Sequence, residues 1–452
     1  MTTFDRTIET AVGACEALPL IGRIKTICLV RDLRGRVRLI VEPENVGPES
    51  RAICHEIEDA VAAALGAYFE RPVLSTNEGR ERGRLAHLIL DKGEPLERSA
   101  FPRAEGPPDS GNPVLPVWKI VERRFSKLSW LQQGVPEPPW PLKPGTPPIV
   151  AFYSFKGGVG RTTALVSCAW QLARKGKRLV VLDFDLEAPG LGSLLEVASN
   201  RGILDVVVDS LATGKTSLAD ATGAARAFGA DDGARVDVLP AGRLSVSYVE
   251  KLARLDFAAA EPWDSDEKSS AMGAFSELLL EIKRKLAPDF ILIDARAGLK
   301  DLSGISLRGL SHVDVLFSRA SEQSYDGLGL ALEILGRGRR GPPGGLVIVH
   351  ALAPREPTSG VGQEETEEFR DRVYALFENS LYGEEPPPTD DETAGHWPWP
   401  LAREQDLERF SKLASVERIL FSEDYRRLLD RIEELCVPEG DGEEEDEKEE
   451  GR

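Results

Sequence analysis

Apolar positions in the first hundred residues recur in short runs. Their spacing predicts helices over 5–18 and 49–67, and strands over 24–31 and 36–42 joined by a turn at Asp32–Gly35. The alternation of Val37, Leu39 and Val41 marks the second strand as half-buried, the pattern of a hairpin. A further strand is expected over 85–91. In VWKIVERRFSKLSWLQ, Trp118, Val121, Phe125, Leu128 and Trp130 share one side at helical spacing, which predicts an amphipathic helix packed on this N-terminal body. Together these elements describe a small α+β domain. It carries no nucleophile–base pair or phosphate loop from which a function could be read.

Beyond residue 148 the pattern changes. Strand-length apolar runs at 149–155, 178–184, 236–241, 290–295, 313–318 and 346–351 alternate with helical stretches. That alternation predicts an α/β fold built on a mostly parallel, doubly wound sheet. Residues 336–345 and 383–395 read as loops, and a closing helix is expected near 414–436. Residues 102–116 read as a proline-rich loop. The seven prolines of 134–148 read as an extended linker, which at about 3.1 Å per residue could hold two bodies roughly 40 Å apart. The expected plan is an N-terminal α+β domain over 1–133, a proline-rich linker over 134–147, an α/β domain over 148–436 and an acidic, disordered tail over 437–452.

The stretch FYSFKGGVGRTTAL carries the chemistry. A strand runs into Lys156, Gly157, Gly158, Val159, Gly160, Arg161, Thr162 and Thr163, and a helix-forming run follows. Backbone N–H groups can wrap around phosphate oxygens only where side chains do not obstruct them, hence the glycines. The helix that starts there offers its positive dipole end to an anion. Thr162, directly after the cationic Arg161, stands where a hydroxyl can ligate Mg²⁺. The strand before and the helix after turn a glycine-rich turn into a phosphate loop.

This two-cation loop resembles the deviant Walker A motif, KGGxGK[ST], of the ParA/MinD group of P-loop ATPases, closest to its KGGVGR variant. The resemblance covers about residues 148–436. It implies ATP and Mg²⁺ as ligands, and it assigns the loop 156–163 to the phosphates. In VVLDFDLEAPGL it implies that Asp185 positions the attacking water, with Asp183 nearer the strand. In FILIDARAGL it implies that Asp294 is the Walker B carboxylate, reaching Mg²⁺ through water, with Arg296–Gly298 as a switch segment. Lys156 matches the lysine that relatives deliver across a homodimer interface to the partner's nucleotide. Arg161 departs from the commoner lysine. It keeps the charge but places a planar fork there, which implies retained ATP binding and slower hydrolysis.

Composition narrows the remaining choices. The formal charge of −19 includes −7 from the last fourteen residues, so neither bulk DNA binding nor docking on anionic lipid is expected. Arg337, Arg339 and Arg340 form a dense basic group and read as a solvated loop. No apolar run is long enough for a membrane span. Asp5, Glu9 and Glu16 interrupt the start where a signal peptide needs an apolar stretch, so a cytoplasmic protein is expected. The five cysteines show no CxxC pair, which argues against a disulfide framework, a zinc site or a metal-cluster carrier. The leading reading is an ATP-hydrolysing, Mg²⁺-dependent switch that dimerises on ATP. It would act on a protein partner through residues 1–147, in the kind of bacterial defence system where such ATPases are often encoded. A ParA-like DNA-associated positioning ATPase and a non-hydrolysing ATP-bound scaffold are the alternatives. MinD-like membrane cycling ranks below them, because the closing helix is mixed in charge.

Overall fold

The computed structural model describes residues 2–96, 115–124, 126–131, 137–229, 235–259, 270–337, 345–355 and 360–437. Arg339, Arg340 and the acidic tail from residue 438 lie outside these. The chain divides into two compact units, Met1–Phe125 and Ser126–Arg452.

In the first unit β1 (Ile24–Arg31) and β2 (Val37–Pro43) pair antiparallel. The turn between them is held by Asp32, whose Oδ1 accepts from the backbone N–H of Arg34 and Arg36, both at 2.8 Å. Gly35 closes it at φ +81°, a conformation that favours glycine. With β3 (Leu74–Ser75), β4 (Glu94–Pro95) and β5 (Val117–Glu122), the sheet order among the described residues is β3-β2-β1-β5-β4. Helices Thr7–Glu16 and Pro48–Leu65 cover one face, packing Val12, Ile57 and Val61 on Ile27, Leu29 and Leu39.

Two expected elements differ. Residues 85–91 belong to a helix, Arg80–Lys92, that buries Ala86 and Leu90 against Cys28 and Ile40 on the other face. Ala86 and Leu90 stand four apart, one helical turn, while Leu85 and Leu88 face solvent, so the apolar run is not a strand. The expected helix beginning at Val117 is instead strand β5, parallel to β1. Trp118 and Ile120 fall on one face and Val121 on the other, an alternation that the helical spacing of the same residues concealed.

The second unit is built on eight strands among the described residues. They are β6 (Ile149–Ser154), β7 (Leu179–Asp183), β8 (Gly223–Ala224), β9 (Val236–Leu239), β10 (Phe290–Asp294), β11 (Val313–Ser318), β12 (Leu346–Ala353) and β13 (Pro398–Ala402). Their order is β13-β12-β11-β6-β10-β7-β9-β8, parallel throughout except for β8. The expected α/β class with a smaller α+β part is what the chain adopts. The successive side chains of β6 go to opposite faces, Ala151 and Tyr153 to one core and Val150 and Phe152 to the other. From β6 the chain proceeds to β7 and β9 on one side, and from β10 it crosses to β11 on the other. The crevice at the carboxyl end of β6 is therefore a topological switch point, where open α/β sheets bind ligands.

β13 escaped the sequence reading because Pro398 and Pro400 interrupt it. An edge strand tolerates proline, since its outward N–H groups have no partner to lose. The closing helix is broken at Phe421–Ser422 into Glu417–Leu420 and Glu423–Leu435. Residues 137–148, expected as part of a spacer, lie on this unit. Trp140 is buried in its core, donating from Nε1 to the Pro147 carbonyl at 2.9 Å, and its own carbonyl meets His312 Nε2 at 2.7 Å. Trp130, from the short helix Leu128–Leu131, enters the same core.

Candidate phosphate and metal site

The loop between β6 and the helix Arg161–Arg174 sits at that crevice. Gly158 and Gly160 take φ values of +72° and +82°, so glycine is required there by conformation. An added Cβ on Gly157, Gly158 or Gly160 would meet nothing within 4 Å, which leaves the hollow of the loop open. Val159 points the other way and is buried beside Phe152. The first turn of the helix carries no acid of its own. Phe155 fixes the entry to the loop by lying over Gly327, where an added Cβ would come within 2.1 Å of the ring. Gly327 had no signal in the sequence, because the approach is between segments far apart along the chain.

Arg161 does not extend into the open hollow. Its side chain is 9% exposed, with Nε donating to Asp294 Oδ1 at 2.6 Å and Nη2 lying 3.5 Å from Asp185 Oδ2. Thr162 Oγ1 donates to the other Asp294 oxygen at 2.7 Å. β10 ends at Asp294 directly beside β6, and β7 ends at Asp183 beside β10, so the sheet itself brings these carboxylates to the loop. Burial pushes the Asp294 carboxyl upward, against the opposing pull of Arg161 and Thr162. Of the residues singled out in the sequence, Arg161, Thr162, Asp185 and Asp294 thus form one connected cluster. Lys156 and Thr163 are half-buried, and their side chains make no hydrogen bond or ion pair among the described residues.

Asp183 underlies the cluster. It accepts from the backbone N–H of Leu191 at 3.1 Å and of Asp185 at 3.2 Å, which fixes the segment carrying Asp185. Burial first, and the Asp294 charge second, push its carboxyl from 3.8 up to about 7. The folded chain therefore keeps a proton that the unfolded chain releases near 3.8. The stability contributed by that proton is complete below this value and is lost as the pH climbs to about 7. Between about pH 5 and about pH 8, the melting temperature of nucleotide-free wild type should fall more than that of Asp183→Asn, measured by calorimetry on both proteins.

Glu187 and Lys300 lacked a sequence signal, whereas Arg296 belongs to the segment that the resemblance singled out. Glu187 receives Arg296 Nη2 at 2.9 Å and Lys300 Nζ at 3.4 Å. Arg296 also brings Nη1 to 3.6 Å from Asp185 Oδ1. His350, at the end of an apolar run, is a core residue stacked on Phe369 at 3.9 Å between ring centroids, and burial pulls its pKa down to about 4.

Residues 148–329 match the family model described as an AAA domain. A 59-residue stretch is 36% identical to an uncharacterized ATP-binding protein of Methanocaldococcus jannaschii, over 13% of this chain and 22% of that relative. The chain thus spans about a fifth of the length of that curated relative. Similar solved structures include a plasmid partition protein from Borrelia burgdorferi, 14% identical over 64% of this chain and 100% of that one, with a TM-score of 0.40. The septum site-determining protein MinD of Pyrococcus horikoshii OT3, complexed with Mg-ADP, is 22% identical over 49% of this chain and 77% of that one, TM-score 0.34. Apo McdA from Cyanthece is 13% identical over 64% of this chain and 99% of that one, TM-score 0.44.

Proposed function

We propose, on the premise that residues 148–329 are a ParA/MinD-like P-loop ATPase domain, that the chain binds ATP with Mg²⁺ and hydrolyses it to ADP and phosphate as a switch acting on a partner. One observation carries this reading. Arg161, Thr162, Asp185 and Asp294 converge at the helix start beside the switch point of the sheet.

The donor set suits Mg²⁺. A hydroxyl and a carboxylate, Thr162 and Asp294, already lie 2.7 Å apart, which fits one direct ligand and one reached through water. When bound, the ion neutralises charge on the phosphate oxygens. The backbone of 157–160 and the helix start cradle the phosphates, and Arg161 turns from Asp294 to reach them. Asp185, half-buried and fixed through Asp183, orients the attacking water. Lys156 is the cation for a partner protomer's nucleotide, which makes ATP the signal for homodimerisation. Residues 1–147 then carry the state to a protein partner, and a bacterial defence system is the setting we favour. DNA positioning is the weaker alternative, because the charge outside the tail is −12 (−19 less −7).

The test is mass by light scattering with Mg²⁺ and ATP, ADP or a slowly hydrolysed analogue, with phosphate release followed in parallel. Wild type should double in mass with ATP and release phosphate. Asp185→Ala should still bind and dimerise while turnover falls by about 10²–10⁴-fold. ATP bound with neither a change in mass nor phosphate released would replace the switch with a scaffold.

A further inference from the structure

We propose that Arg296 supplies, within the same chain, the cation that stabilises the transferring phosphoryl group. This inference rests on the ATPase reading above and adds a catalytic residue to it.

The backbone of the segment is anchored on the strand that feeds the phosphate loop. Ala295 N–H donates to Phe152 O and Gly298 N–H to Ser154 O, both at 3.0 Å, while Ser303 Oγ holds the Arg296 carbonyl at 2.8 Å. Arg296 therefore stands at a fixed place beside the loop. Its side chain is 20% exposed, and Nη2 is occupied by Glu187. Nη1 is different: it is buried with no hydrogen-bond partner, and Asp185 Oδ1 at 3.6 Å is too far to satisfy it. A buried donor left unmet is destabilising. A functional site is one setting in which such an atom is retained.

The position of Asp185 indicates which acceptor. Its carboxylate lies between two guanidinium groups, Arg161 on Oδ2 and Arg296 on Oδ1. In the ATPase reading Asp185 orients the attacking water, so the carboxylate that Arg296 approaches borders the terminal phosphate. A phosphate oxygen bound there would give Nη1 its missing acceptor and leave Nη2 on Glu187. In the step itself, the water oxygen bonds to the terminal phosphorus, and the bridging P–O bond breaks with its electron pair left on ADP. The water proton passes by way of Asp185 to solvent. Negative charge on the equatorial oxygens falls on Arg161 and Arg296, and preorganised donors of this kind lower the barrier without reorganising.

The experiment compares wild type, Arg296→Ala, Arg296→Lys and Glu187→Ala for ATP affinity, steady-state turnover and trapping of ADP with aluminium fluoride, a mimic of the transferring group. Arg296→Ala should lose about 10²–10³-fold in kcat and fail to trap ADP, with ATP affinity within about threefold of wild type. Arg296→Lys should recover part of the turnover, and Glu187→Ala, which frees Nη2 but leaves the guanidinium in place, should lose less than Arg296→Ala. Turnover of Arg296→Ala within about threefold of wild type overturns the inference alone. So does a loss confined to ATP affinity with trapping retained, since that marks a structural residue. A wild type that binds no nucleotide or releases no phosphate overturns the ATPase reading and the inference together.

Discussion

Lys156→Ala should abolish the ATP-dependent doubling of mass and reduce turnover by about 10³–10⁵-fold, the range for a cation delivered in trans to a transferring phosphate. The same substitution should leave folding nearly untouched, within about 0.5 kcal/mol in denaturant titration. The contrast comes from the environment of the residue. Lys156 is half-buried at the mouth of the loop and makes no ion pair among the described residues, so its removal strands no partner. A lysine that served only its own protomer would give the turnover loss without the mass effect. Light scattering and phosphate release on one preparation separate the two.

Asp294→Ala should do the opposite and strike folding as well as turnover. Asp294 is 2% exposed and satisfies both Arg161 and Thr162. Deleting it leaves a guanidinium that is 9% exposed without its nearest counter-charge, a change that typically costs about 3–5 kcal/mol. Denaturant titration without nucleotide should show the loss. The double variant Arg161→Met, Asp294→Leu should recover most of it, because apolar groups of similar volume replace a buried ion pair at little cost or better. Neither variant should turn over ATP. If the double variant is as unstable as the single, packing around β10 and not the stranded charge sets the penalty.

What could be read in the sequence follows from how local each feature is. The strands of the second unit are continuous apolar runs because parallel strands are buried on both faces, and such runs survive without knowledge of their neighbours. The phosphate loop is contiguous, so its glycines, Thr162 and the flanking strand and helix were all visible. Asp183 and Asp294 each end such a run, and Asp185 stands out only through the resemblance. In the first unit, by contrast, β5 exists because β1 and β4 flank it, and its residues satisfy helical spacing equally well. The helix Arg80–Lys92 is short of strong signals for the same reason, since its buried side is chosen by Cys28 and Ile40 from other strands. The inward turn of Arg161 and the pairing of Glu187 with Arg296 depend on side-chain directions across the crevice. No spacing rule encodes those directions.

The short helix that carries Trp130 has one more consequence. Trp130 Nε1 donates to the Lys300 carbonyl at 2.7 Å, Ser129 Oγ to that of Asp301 at 2.9 Å, and Arg308 holds the carbonyls of Ser129 and Trp130 from below. Residues 127–131 are thus bolted to the stretch that begins four residues after Arg296, and the same chain continues backward into the first unit. A displacement of residues 300–301 would pass directly into residues 127–131 through these hydrogen bonds. The emission of Trp130, an indole bonded to the Lys300 carbonyl, becomes an intrinsic gauge of strain at that joint.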